Sequence, residues 1–361
     1  MHNILKLKSV LNLLSVIIIS LFISGCSLMV KSIPGSANTD NTKELNKLIK
    51  EGNDINGLSS YGAGGIHYAA KAGNIDSLKI LLKNGANVNL IAKKKYDGWT
   101  PMRFAVTSWK HPHAFHKNKK VEVVNLLIKK GSKLDYKGAD GESLLHIAAS
   151  QTYKGSSKLT EILIKSGLDV NAKDNNGKTP MDYATEKFAF SNIIVLMKNG
   201  VKFNDYVGEN GSNLFHLAAS QVVKNKNAYT LIDYLVANGN DINMPDNDKR
   251  TVLHYVYNYE LDNRNSRAIK AELIAITKLM KRGAKLFAQD KDGNTIGHYA
   301  ASQGRYYIVG IYQGIFKKYN LKDVLNNKGQ TINGLYIDYV NWVKDMENPK
   351  TMTFRSPPSC I

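Results

Sequence analysis

Gly98-Trp99-Thr100-Pro101-Met102, Gly177-Lys178-Thr179-Pro180-Met181 and Leu145-His146-Ile147-Ala148-Ala149 are pieces of one phrase that the chain restates between residues 60 and 334. Aligned on His67, the next occupants of its position are Arg103, His146, Asp182, His216, His254, His298 and Gly334, at steps of 36, 43, 36, 34, 38, 44 and 36 residues. Repetition at such a period means stacked supersecondary units, none able to bury its apolar face alone. A stack of this kind favours a binding scaffold over an enzyme.

Each copy reads as a turn followed by two helices. A glycine such as Gly62, Gly141, Gly211 or Gly293 permits a tight turn. The next Ser or Thr (Thr100, Ser143, Thr179, Thr251, Thr295) can cap the incoming helix, and proline at its first position lacks only an N–H that would be orphaned anyway. Alanine pairs (69–70, 148–149, 218–219, 300–301) let neighbouring helices approach closely. The second helices are amphipathic, as in Ile75, Leu78, Ile80, Leu81 and Leu82, and stop at Gly85, Gly131, Gly167, Gly200, Gly239 and Gly283.

The glycine turn, Thr-Pro-Met-His-like phrase and paired alanines resemble the ankyrin repeat, over roughly residues 40–345. The resemblance implies an all-α ankyrin-repeat solenoid of stacked helix-turn-helix units with short β-turn fingers, spanning 42–345 with terminal caps as a single elongated unit. Thr42 to Ile49 reads as a lone second helix closing one end, and Tyr336 to Val343, with Tyr339, Val340 and Trp342, closes the other. Residues 346–361 are expected to be a loose tail. The pattern is broken where Arg103, Asp182 and Gly334 replace the histidine, where Gly64-Gly65 replaces Thr-Pro and where Lys249 stands at the turn glycine, so distortion is expected there. Extra residues around 108–120, 151–158, 221–228 and 257–268, and the Ala-Ala-Ser-Gln shared by three repeats (148–151, 218–221, 300–303), predict extended first helices and longer loops on one edge.

The N-terminus carries Lys6 and Lys8, an apolar run from Leu11 to Ile23, then Ser24-Gly25-Cys26. This order describes a secretory signal, the apolar run being short for a spanning helix; an uncleaved single-span anchor is the alternative. Ile23-Ser24-Gly25-Cys26 resembles the lipobox of bacterial lipoproteins, which implies removal of residues 1–25, lipidation of Cys26, and a flexible linker over 26–41. Several acyl chains on one residue make a lasting anchor. With Ser27 next, the resemblance implies the outer membrane on its periplasmic side, the inner membrane being the alternative. Cys360 would then be the only free thiol, with no internal disulfide possible.

The net charge is +19, and +17 once Lys6 and Lys8 are removed with residues 1–25. That field favours an acidic partner or anionic head groups, although an AT-rich genome yields the same lysine-rich composition. The chain has no recognised nucleic-acid module, so no nucleic acid is expected. A monomer without a cofactor is expected.

His111-Pro112-His113-Ala114-Phe115-His116, beside Trp109, has ligand types suited to zinc or copper, and its spacing resembles the first-ligand motif of metallo-hydrolases. Phe115, however, stands where that motif has an aspartate, so no metal site is assigned. The repeated histidines (67, 146, 216, 254, 298) are separated by a whole repeat, roughly 8–10 Å between packed helices, too far for proton relay. The ankyrin resemblance implies that they order the turn. No nucleophile elbow, Walker loop, zincin helix or Rossmann glycine pattern occurs, and no catalytic residue is expected.

The resemblance places partner contacts on turn tips and inner helices. The candidates are Tyr96 and Trp99 first, then Trp109, Glu209, Asn210, Asn247, Asp248, Arg250, Lys291, Asp292 and Asn294, with Tyr61 and Glu142 at equivalent positions. Aromatic and Arg anchors usually dominate affinity. The leading expectation is a lipid-anchored periplasmic scaffold that captures another protein, in its sharper form an immunity-type inhibitor of a membrane-acting toxin. An envelope maintenance or stress factor tethering a periplasmic enzyme is the second reading, and a metal-dependent hydrolase using His111–His116 the third.

Overall fold

Pairs of short helices joined by turns follow from the repeated phrase, because each copy supplies its own start and stop signals. The computed structural model describes residues 32–107, 119–256, 266–319 and 322–347. They fall into two units, one ending at Lys187 and one beginning at Phe188. Among the described residues no helix is long and apolar enough to cross a membrane.

The first unit holds α1 (Ile33–Asn38), α2 (Thr42–Lys50), α3 (Gly65–Ala72), α4 (Ile75–Lys83), α5 (Pro101–Val106), α6 (Lys120–Lys129), α7 (Leu144–Ala149), α8 (Ser156–Lys165) and α9 (Pro180–Glu186). First helices pack on first helices, α1 on α3, α3 on α5, α5 on α7 and α7 on α9; second helices pack likewise, α2 on α4, α4 on α6 and α6 on α8. Leu45, Leu78, Leu81, Val123, Leu127, Leu159 and Leu163 on the second helices meet Ile66, Met102, Leu144 and Leu145 on the first, all buried. Burying one such side chain contributes about 1.5–3 kcal/mol.

The second unit holds α10 (Phe190–Lys198), α11 (Leu214–Ala219), α12 (Asn227–Ala237), α13 (Val252–Val256), α14 (Ser266–Met280), α15 (Ile296–Ser302), α16 (Tyr306–Tyr319) and α17 (Ile332–Glu347). α11 packs on α13, α10 on α12, α14 on α16, and α17 closes on both α15 and α16. A buried ion pair ties α14 to the start of α16: Arg305 Nη1 donates to both Glu272 oxygens at 2.7 and 2.6 Å, each side chain 2% exposed. Among the described residues there are only isolated antiparallel bridges, Leu58 to Gly64, Lys137 to Ser143 and Leu325 to Thr331. The fold is the expected all-α ankyrin-repeat solenoid.

Several local expectations are corrected. Residues 26–41, read as a flexible linker, contain α1, so the first cap is a helix pair and not a lone second helix. Ser32 Oγ accepts from Gly35 N at 3.1 Å, Pro34 occupies the first turn, and Ile33 and Ala37 are buried. Pro-Gly-Ser reads as a linker by propensity; here proline sits where it costs nothing and packing on α3 supplies the stability. A side chain at Gly65 would stand 2.8 Å from Ile33, so the contact depends on that glycine.

The first helices are not extended at Ala-Ala-Ser-Gln. They end there, because the Ser150, Ser220 and Ser302 hydroxyls donate back to the carbonyls of Ile147, Leu217 and Tyr299 at 2.8, 2.8 and 3.0 Å, competing with the helical ladder. Longer loops do follow α7 and α11, while residues 108–118 and 257–265 lie outside the described residues. Lys249 does not distort its turn: it adopts φ 59°, the left-handed geometry that glycine supplies at Gly62 (φ 85°). At the far end α17 runs to Glu347, past the expected boundary at 345, and the Trp342 side chain lies outside the described set.

Candidate binding surface

Three of the fingers that precede first helices are held by a device that crosses the turn. Asp174 Oδ1 accepts from the backbone N–H groups of Asn176 and Lys178 at 2.9 and 2.8 Å, and its Oδ2 accepts from the Tyr183 hydroxyl at 2.9 Å. Asp246 does the same with Asp248, Arg250 and Tyr255 at 2.8, 2.8 and 2.7 Å. Asp290 binds Asp292 and Asn294 at 3.0 and 2.8 Å and the Tyr299 hydroxyl. Each aspartate is buried, and nine residues separate it from its tyrosine in all three fingers. Sequence reasoning missed this lock. Its signal was present in the tyrosine that follows the repeat's His or Asp, at 68, 183, 255 and 299.

The histidines join finger to helix and repeat to repeat. Each Nδ1 accepts the N–H at its own helix start: Gly64 to His67 at 3.1 Å, Ser143 to His146 at 3.2 Å, Asn213 to His216 at 3.0 Å, Thr251 to His254 at 3.0 Å and Thr295 to His298 at 3.1 Å. An occupied Nδ1 puts the ring proton on Nε2. From there His67 donates to the carbonyls of Leu90 and Trp99 at 2.9 and 3.2 Å, His146 to Lys178 at 3.0 Å, His254 to Asn294 at 3.1 Å, and His298 to Val324 at 3.1 Å. Burial lowers the pKa of all five, that of His67 to about 4. Asp182 keeps the same cap, its Oδ2 accepting from Thr179 N at 2.7 Å. Between successive histidines lies the next repeat's aromatic ring, as in His67 on Phe104 and His146 on Tyr183, both 5.0 Å between centroids. Neutral rings whose Nδ1 accepts at the helix start, four of them also donating from Nε2 to backbone carbonyls, are turn-ordering groups, unsuited to proton transfer.

Neighbouring fingers are joined by their backbones. Lys93 N donates to Gly62 O at 2.8 Å and Asn175 N to Asp140 O at 2.9 Å in the first unit; Asn247 N donates to Asn210 O at 3.0 Å, Lys291 N to Asp248 O at 2.7 Å and Asn327 N to Asp292 O at 3.0 Å in the second. Glu209, Asn210, Asn247, Lys291 and Asp292 stand exposed on these tips. Asp248 and Arg250 are half-buried: Asp248 accepts from Asn210 Nδ2 at 2.6 Å and from Lys291 Nζ at 2.6 Å, and Arg250 lies 3.9 Å away. The Lys291 ammonium holds the Asp248 carboxyl below its ordinary range, and Asp248 raises Lys291 in turn.

Two candidates are corrected by burial. Tyr96, 8% exposed, folds inward at the short 3-10 turn Lys94–Tyr96 and packs with Ala63, Ala92 and Phe104. Asn294 is fully buried and accepts from Asn326 Nδ2 at 2.9 Å. Neither can anchor a partner. Trp99 is half-buried, its ring covered by the Arg103 guanidinium at 4.1 Å. Cys26, Trp109, His111, His113, His116 and Cys360 lie outside the described residues, within which no group of three His, Cys, Asp or Glu is placed to hold a metal ion.

Comparison with known proteins agrees with this geometry. The family model described as ankyrin repeats (3 copies) matches residues 35–116 and 112–207. The chain is similar to ankyrin repeat and SOCS box protein 3 of Homo sapiens, 34% identical over 116 residues, covering 31% of this chain and 19% of that protein. It is similar to the transient receptor potential cation channel subfamily A member 1 of Homo sapiens, 26% identical over 315 residues, covering 75% of this chain and 26% of that one. With its Caenorhabditis elegans homolog it shares 31% identity over 125 residues, 35% of this chain and 9% of that protein. The chain thus spans about a quarter or less of the length of these relatives.

Proposed function

We propose, from the premise that the chain is an ankyrin-repeat protein, that it binds another protein along its finger edge and catalyses no reaction. The observation that carries this reading is the finger array itself: tips pre-ordered by buried Asp–Tyr locks and a backbone ladder present a row of exposed polar and charged side chains. A surface fixed before binding loses little conformational entropy on contact, which turns modest contacts into affinity.

The finer reading adds the membrane. The sequence from Lys6 to Cys26 supports export and lipidation of Cys26, which would hold the repeats on the periplasmic side of the outer membrane. There a rigid recognition edge suits an immunity-type protein blocking a membrane-acting toxin. Intact-mass analysis of the membrane fraction tests the anchor: a chain beginning at acylated Cys26 supports it, and an uncut, unmodified chain removes it. A photo-crosslinker at Asn247 or Lys291, followed by mass spectrometry of intact envelopes, tests the edge. One recurrent partner, lost when Glu209, Asn247, Lys291 and Asp292 are replaced together by serine, supports the reading; a partner retained by that variant refutes the finger assignment.

A further inference from the structure

One repeat departs from the others in three ways at once. Its finger, from Ala92 to Gly98, is longer than the rest, its histidine is Arg103, and it carries the insertion after Thr107. Asp182 shows that another residue can replace the histidine and still cap the helix start. Arg103 does not do so. Its backbone N–H bonds Thr100 Oγ1 at 3.2 Å, while its guanidinium turns away onto Trp99 at 4.1 Å and Tyr136 at 5.7 Å, with Nη1 donating to Thr107 Oγ1.

A second cation meets the same residue. Lys120, at the start of α6, donates from Nζ to the Thr107 carbonyl and stands 5.2 Å from the Tyr153 ring centre. Burial, and after it the Lys71 ammonium at the end of α3, brings Lys120 down to about 8. Arg103 Nε and the Tyr153 hydroxyl are buried and make no hydrogen bond among the described residues. A buried donor without an acceptor is costly, and here two such donors stand beside the Lys120 ammonium. No acidic residue occurs between Asp97 and Glu122, and Asp76 is taken by Lys79 and Lys119 at 3.7 and 3.9 Å.

We propose that Arg103, Lys120 and Tyr153 form a carboxylate-binding site between α5, the start of α6 and the loop after α7 in the first unit, which receives an acidic segment of a partner protein. Arg103 supplies a planar donor fork, Lys120 a point charge and Tyr153 a neutral donor, while Trp99 and Tyr136 provide apolar walls for the segment's methylenes. The inference rests on the protein-binding reading only for the source of the carboxylates and does not depend on the finger tips.

The test is fluorescence anisotropy of labelled hexaglutamate and hexaglutamine peptides with the full chain. Hexaglutamate is expected to bind at least tenfold more tightly than hexaglutamine. Arg103→Gln and Lys120→Gln are each expected to weaken it about tenfold, as loss of a charge-assisted bond does, while Lys129→Gln on the outer face of α6 leaves it within twofold. Tyr153→Phe separates binding from folding: because its hydroxyl makes no hydrogen bond among the described residues, the variant should melt at the same temperature or higher yet bind several-fold more weakly. Equal affinity for the two peptides, equal losses in Lys129→Gln and Lys120→Gln, or a Tyr153→Phe chain that binds as tightly as the parent overturns the site. Any of these results leaves the finger edge standing as a separate surface.

Discussion

Acidification should unfold the first unit through His67, by an amount that can be calculated. The ring is fully buried, and its burial lowers the pKa to about 4 against an ordinary 6.5. Between those two values the unfolded chain binds a proton that the folded one refuses, so stability is complete above pH 6.5 and falls as the pH drops through this window. Lowering the pH from about 7.5 to about 5 should remove about 2 kcal/mol from His67 alone. His146, His216, His254 and His298 shift in the same direction and add to the total loss. To isolate one ring, urea denaturation followed by far-UV circular dichroism is compared for the parent and His67→Gln at both pH values. Glutamine offers the acceptor for Gly64 N and a donor for Leu90 O without titrating, so the variant starts less stable but should lose about 2 kcal/mol less on acidification. Identical losses in the two chains would show that His67 takes up no proton on unfolding.

Other outcomes are equally specific. Glu272→Ala strands the Arg305 charge in the second unit and should cost about 3–5 kcal/mol in urea denaturation, whereas replacing both partners by Met should recover most of it. Asp290→Ala releases two backbone N–H groups and the Tyr299 hydroxyl together, and should cost about 2–4 kcal/mol with a local rise in hydrogen exchange at residues 291–294. Lys249→Gly removes left-handed strain from a side chain at φ 59° and should stabilise by up to about 1 kcal/mol, read as a raised melting temperature.

The repeat, its turn, its caps and its amphipathic second helices were legible because each depends on residues within a few positions of one another. What escaped depends on distance. The Asp–Tyr lock spans nine residues across a reversal of the chain, where no helical or strand period applies. Tyr96 looked like an anchor because it sits at a turn tip, but its finger is long enough to fold the ring back over Phe104. Asn294 stands one residue after the turn glycine, yet the following finger covers it through Asn326. Helix α1 was hidden by a Pro-Gly pair whose meaning reverses once α3 packs against it. Arg103 was visible as a missing histidine; that it faces Lys120 across Thr107 required coordinates.

The peptide links between fingers separate cohesion from identity. Since Asn247, Lys291 and Asn327 hold the preceding finger through main-chain N–H groups that every residue except proline possesses, that ladder is indifferent to which side chains stand at those places, and the Lys291 and Asn327 side chains only add bonds to it. Selection can rewrite what the edge spells to follow a changing partner while the main-chain ladder beneath stays in place.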